Sequence, residues 1–194
     1  MKFIPSIIAA FGLLSSFSSP VFAADTYEVS AGMSYVLFKV RHFGVSNAFG
    51  RFNEFSGTVT GDPASPEGAK IEFEVAAASV DTGIEDRDNH LRGPDFFNAK
   101  EFPQITFKST SVAPVDGKEG LYKLSGDLTL LGITKPVTAE FAYFGTGTGV
   151  KGKAIAGGEA TFVIKRTDFG MSYGTPDALG DEVTITVALQ GAKK

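Results

Sequence analysis

Apolar residues recur at every second position along most of this chain. Val36, Phe38, Val40 and His42 share one face of a strand, with Lys39 and Arg41 on the other, and Phe49, Arg51, Asn53 and Phe55 lead into a second strand ending near Thr60. A turn spans Gly61-Asp62-Pro63 to Glu67-Gly68, after which Ile71, Phe73 and Val75 alternate with Glu72 and Glu74, the pattern of a half-buried antiparallel strand. Ile105 and Phe107 alternate with Thr106 and Lys108. The second half repeats the theme: Tyr122, Leu124, Leu128 and Leu130, then Val137, Ala139, Phe141 and Tyr143 after a turn at Gly132, then Ala160, Phe162, Ile164 and Arg166, and last Val183, Ile185, Val187 and Leu189.

About eight alternating strands with short turns fit a sandwich or an up-and-down barrel, and closure is the way a long antiparallel sheet removes its edges. Strands of about ten residues, roughly 33 Å long, favour an all-β, eight-stranded antiparallel barrel. Its interior is either filled or just wide enough for one slender ligand. Because the inward residues are nearly all apolar, such a ligand is greasy, and Phe38, Val40, Phe73, Phe107, Phe141 and Phe162 are the candidate wall.

One stretch, Asp81 to Phe107, breaks the alternation. Thr82 and Glu85 have capping-box spacing, and Gly93-Pro94 supplies a left-handed stop, which bounds a helix of roughly ten residues. Phe96, Phe97 and Phe102 then place three aromatics in an irregular connection, which loops rarely carry unless they cover something. The stretch therefore predicts a short helical lid over one barrel mouth, with those rings shielding the lumen. Arg87, His90 and Arg166 are candidates for a polar head group, although pairing of Arg87 with Asp86 and Asp88 is the favoured alternative.

The start of the chain carries one cation, Lys2, an apolar run from Phe3 to Leu14, and Val21-Phe22-Ala23. This pattern predicts a signal peptide over residues 1–23 and a mature, soluble domain over 24–194. No later stretch has the ~20 continuous apolar residues of a spanning helix. The net charge of −4 with no basic block argues against nucleic acid, and the absence of cysteine excludes thiol chemistry and thiolate metal sites. His42 and His90 lack the spacing of a metal pair, and no Gly-x-Ser-x-Gly elbow occurs, so neither a metal, a cofactor nor a catalytic set is expected. Gly147-Thr-Gly-Val-Lys-Gly152-Lys153-Ala154 nearly matches a P-loop, but Ala154 replaces the magnesium-binding hydroxyl, and the stretch joins two strands. It reads as a hairpin turn.

Three stretches in order, Asp86 to Phe107, Leu128 to Val137 and Arg166-Thr-Asp168-Phe169-Gly170, resemble the YceI-like family over essentially the whole mature chain. Gly93-Pro94 and Asn98 depart from the Ser and Asp of that pattern. The resemblance implies a lipocalin-like barrel exported to the periplasm, holding a polyprenyl phosphate or a ubiquinone-type tail as a carrier. Its partners would be the isoprenoid lipid, transiently a membrane, and for oligomeric state a homodimer is the candidate. Two rivals stand beside the carrier: an enzyme acting on a lipid head group at the mouth through His90 or Asp88, and a barrel filled by its own phenylalanines that works through protein contacts.

Overall fold

The computed structural model describes residues 24–174 and 176–194, so the expected signal peptide lies outside the described residues. Eleven strands and one α-helix follow in order: β1 (Asp25–Val29), β2 (Tyr35–His42), β3 (Ser46–Phe52), β4 (Phe55–Asp62), β5 (Ser65–Ala76), β6 (Val80–Asp81), α1 (Glu85–Arg92), β7 (Gln104–Pro114), β8 (Leu121–Leu130), β9 (Ile133–Thr148), β10 (Ala154–Lys165) and β11 (Leu179–Lys193). All the pairings are antiparallel. The strands form a ring in the order β1-β4-β5-β7-β8-β9-β10-β11, closed by β1 against β11.

The remaining strands extend this ring upward. β2 and β3 pair with each other, while β2 also pairs with β11 and β3 with β6. β1 with β2, β3 with β4, and β5 with β6 are therefore three strands, each broken once. The breaks are a 3-10 turn at Ala31–Met33, the pair Asn53-Glu54, and a 3-10 turn at Ala77–Ser79. Counting each broken pair as one gives an eight-stranded up-and-down barrel. Amides that leave the ladder at the breaks find other acceptors: Ser30 N donates to Gln190 O at 2.8 Å, Asn53 N to Ser79 O at 3.1 Å and Ala77 N to Pro103 O at 2.9 Å.

These breaks correct one reading of the alternation. Phe49, Arg51, Asn53 and Phe55 do not share a face, because Asn53-Glu54 shifts the parity. On β3 the buried side chain is Phe52, 8 % exposed, opposite Val36, whereas Phe49 is 63 % exposed and sits at the rim. The turn after Gly61 is also tighter than the sequence implies, since Asp62 already pairs with Ser65. The P-loop-like stretch is a hairpin turn, with Gly149 N donating to Lys153 O at 2.8 Å.

The helical part of the lid also differs from the expectation. α1 has eight residues, its N-cap is Ile84, and no side chain caps it. Thr82 does not form the capping box, because its hydroxyl and amide both donate to Oδ1 of the buried Asp88. Gly93 ends the helix by donating to His90 O at 3.0 Å, but it is extended (φ −77°, ψ 176°), not left-handed. The left-handed residues of the lid are Gly83 (φ 77°), before the helix, and Asn98 (φ 41°), after it, whose carbonyl accepts from Phe102 N.

Candidate functional site

The core does not fill the barrel. Three buried clusters line its wall: Ile71, Val112, Leu124 and their neighbours toward the closed end, Phe96, Leu128, Ile164 and Phe169 under the lid, and Val36, Phe52, Phe73 and Val80 beside the strand breaks. Between them lies a cavity of about 410 Å³. Phe38, Val40, Phe73, Phe107, Phe141 and Phe162 all line it.

The phenylalanines leave this space open because the neighbouring strands make room for their rings in the wall. Gly50 lies beneath Phe38, Gly57 beneath Phe73, Gly126 beneath Phe107 and Gly158 beneath Phe141, so closely that a methyl group at any of the four would overlap the ring. Each glycine sits on a strand adjacent to its phenylalanine. A ring laid over a glycine buries its face against backbone instead of projecting across the lumen.

The lid covers the upper end. Phe96 is 6 % exposed and Phe97 is half-buried, and both line the cavity. Phe97 packs edge-on against Phe52, with centroids 5.3 Å apart, and against Phe38 at 6.5 Å. Phe96, His90 and Tyr173 form a second aromatic group, with centroids 4.9 to 5.3 Å apart. Phe102 does not reach the cavity. Its ring lies against Gly132 in the β8–β9 turn, where Leu131 and Gly132 both have positive φ, so it fastens the end of the lid to a turn.

Arg166 is placed differently from a head-group ligand, although one side of it borders the cavity. It is 3 % exposed and donates to three main-chain oxygens, of Met171 and Gly180 at 2.9 Å and of Leu179 at 3.1 Å. Its guanidinium is a brace for the loop between β10 and β11. Burial lowers its pKa, against the opposing field of Asp181. Burial pushes the Asp181 carboxyl upward, but hydrogen bonds from the Thr167 hydroxyl and amide outweigh it and hold the group below the usual carboxylate range.

Arg87 and His90 do stand at the mouth. Arg87 does not pair with Asp86 or Asp88, and among the described residues it forms no salt bridge. Instead it donates to the Thr82 hydroxyl at 2.7 Å and the Thr82 carbonyl at 2.8 Å, which holds a positive charge at the cavity rim. His90 Nε2 lies 2.9 Å from Asp95 Oδ2. The sequence reading missed the loop after Phe169, from which Met171, Tyr173 and Ala178 join the lining. Its Gly, Ser, Thr, Pro and Asp residues read as an ordinary turn, so the sequence carried no signal for it. Among the described residues no cluster of His, Asp or Glu has the arrangement of a metal site, and no helix is long and apolar enough to cross a membrane.

Residues 27–191 match the YceI-like domain. The chain belongs to the YceI-like family. It is 38 % identical to the protein YceI of Escherichia coli O157:H7 over 182 residues, covering 94 % of this chain and 93 % of that one. Among solved structures it is similar to BcnA of Burkholderia cenocepacia, with a TM-score of 0.75 at 28 % identity, covering 84 % of this chain and 98 % of that one. A polyisoprenoid-binding domain from Saccharophagus degradans, implicated in plant cell wall breakdown, has the same fold. Its TM-score is 0.67 at 17 % identity, with 87 % of this chain and 98 % of that domain covered. The lipocalin-like barrel with a short helical insertion is thus the architecture of this YceI-like protein.

Proposed function

We propose that this YceI-like protein is a periplasmic carrier that holds the tail of an isoprenoid lipid in its lumen, without performing chemistry on it. The observation that carries this reading is the set of rings laid over glycines, which keeps about 410 Å³ of apolar space open in a barrel rich enough in phenylalanine to fill itself. An apolar cavity of this kind does not hold water stably, and a long hydrocarbon gains about 0.8 kcal/mol for each CH₂ it buries there. The polyisoprenoid-binding domain of Saccharophagus degradans supports the isoprenoid class for the tail. Export is supported by the signal-like pattern of residues 1–23.

At the mouth, Arg87 and His90 hold the polar end of the lipid. The committed partners of the other mouth residues argue against a reaction there: Asp88 is buried and accepts twice from Thr82, and Arg166 is tied to backbone. Native mass spectrometry of the protein purified from periplasm tests the reading, and a bound prenyl lipid is the expected result. Gly50→Ala is the matched variant, because the three atoms nearest its methyl all belong to the ring of Phe38. The displaced ring enters the lumen, and capture of the lipid falls while the fold persists. An empty wild-type protein, or turnover of a polyprenyl pyrophosphate, overturns the proposal. In binding assays Arg87→Ala weakens a polyprenyl phosphate more than a quinone of equal tail length; equal losses would mean that Arg87 only shapes the lid.

A further inference from the structure

The main cavity stops short of the base of the barrel. Below the main cavity lies a second one of about 80 Å³, lined by residues that include Val29, Val59, Pro66, Val112 and Tyr143. The two spaces share four lining residues, Ile71, Phe141, Gly158 and Leu189, each on a different strand. Of these, Phe141 has the largest side chain. Its ring lies over Gly158, at the point where the β9–β10 register shifts, with the rings of Tyr122 and Tyr143 each 6.3 Å away. Tyr143 seals the base from below, its hydroxyl donating to Pro63 O at 2.7 Å across to the β4–β5 turn.

We propose that Phe141 is the floor of the lipid site and sets the longest tail the protein accepts. This rests on the carrier reading above. A space of 80 Å³ is about half the ~150 Å³ that holds a benzene molecule, so the basal cavity cannot take a five-carbon isoprene unit on its own. Removing the ring of Phe141 changes that. Phe141→Ala deletes six carbons at the boundary and joins the two spaces, which makes room for about one further isoprene unit. Ala160 on β10 is the strand partner of Phe141 and Ala139 precedes Phe141 on the same face of β9; both are buried wall residues, and enlarging either raises the floor.

The test uses delipidated full-length mature protein and prenyl phosphates that differ by one isoprene unit at a time. Affinity for the wild type rises with tail length to a break, beyond which another unit adds nothing. Phe141→Ala moves the break one unit longer, so that the first unit past the wild-type break strengthens binding by about tenfold or more. Ala160→Leu moves it shorter. Phe141→Leu keeps an apolar side chain over Gly158 and gains part of the same increment, which covers the case in which the alanine variant does not fold. A break at one length in all the folded variants overturns the floor and leaves the carrier reading intact. Failure of every prenyl phosphate to bind wild-type protein overturns both.

Discussion

The two ends of this barrel are closed by different physics. At the mouth, irregular segments are held by side chains that reach for backbone: Arg166 to three carbonyls, Asp88 to the Thr82 amide, and Arg92 to the carbonyls of Ala78 and Val80 at 2.7 and 3.0 Å. At the base, short turns and aromatic packing are joined by bonds between neighbouring strands and turns, from Tyr143 to Pro63 O, between Thr26 and Thr60 at 3.2 Å, and from Lys193 to Asp25 at 2.7 Å. A base made of tight turns has one arrangement. A mouth held by individual side chains is released by losing one of them, which suits the end through which a lipid passes.

The largest expected effect is at the brace. Arg166→Ala takes a donor from three carbonyls, one buried and two partly buried, and should cost about 3–5 kcal/mol in denaturant unfolding. A loss under about 1 kcal/mol would mean that the mouth does not depend on it. Asp88→Ala, which frees Thr82 and the start of the lid, should cost about 1–3 kcal/mol and speed hydrogen exchange selectively in residues 82–103. Protection lost evenly over the barrel would contradict a separately held lid. At the base, Tyr143→Phe removes one hydroxyl bond, and its expected cost is about 0.5–1.5 kcal/mol, with lid exchange unchanged. If it loosened the lid, the two ends would not be independent.

The smallest effect is electrostatic. Hydrogen bonds from Asn53, the Gly83 amide and Arg51 hold the Asp81 carboxyl, at the root of the lid, down at about 2 against an ordinary 3.8. A carboxyl depressed in the folded state contributes stability above the unfolded value, and that contribution is lost as pH falls from 3.8 through about 2. Asp81→Asn should therefore flatten the acid limb of the stability curve: the variant is less stable than wild type at neutral pH, and the two converge as pH falls from 3.8 toward about 2. An acid limb as steep in the variant as in wild type would remove Asp81 from the account.

The wall of the lumen was legible in the sequence because a strand's side chains alternate strictly, so each run of apolar residues at period two names its inward set. That logic assigned Phe73, Phe107, Phe141 and Phe162 to one interior without any knowledge of their distances. It failed at Asn53-Glu54, since a parity shift leaves no mark in the alternation until the partner strand is known. The lid was legible as an interruption and opaque in detail. Thr82 and Glu85 have the spacing of a capping box, but Asp88 competes for the same hydroxyl, and Arg166 is bound to residues up to fourteen positions away. The glycines beneath the rings were invisible for the same reason: Gly50 and Phe38 meet only through strand pairing.

Strand order around the ring follows chain order, so neighbours are joined by local connections, except where β11 meets the N-terminal strands. Bringing Tyr27 to Lys193 closes a loop of roughly 165 residues, which costs about 2.5 kcal/mol more in chain entropy than a ten-residue hairpin. Topology thus makes this seam the slowest contact to form, and before it forms the sheet is an open curved ribbon. On that ribbon the aromatic face lies bare along its whole length and can be approached from the side. A hydrocarbon tail present during folding can be wrapped by the closing sheet, a loading that needs no opening of the lid, whereas exchange in the folded protein uses the mouth.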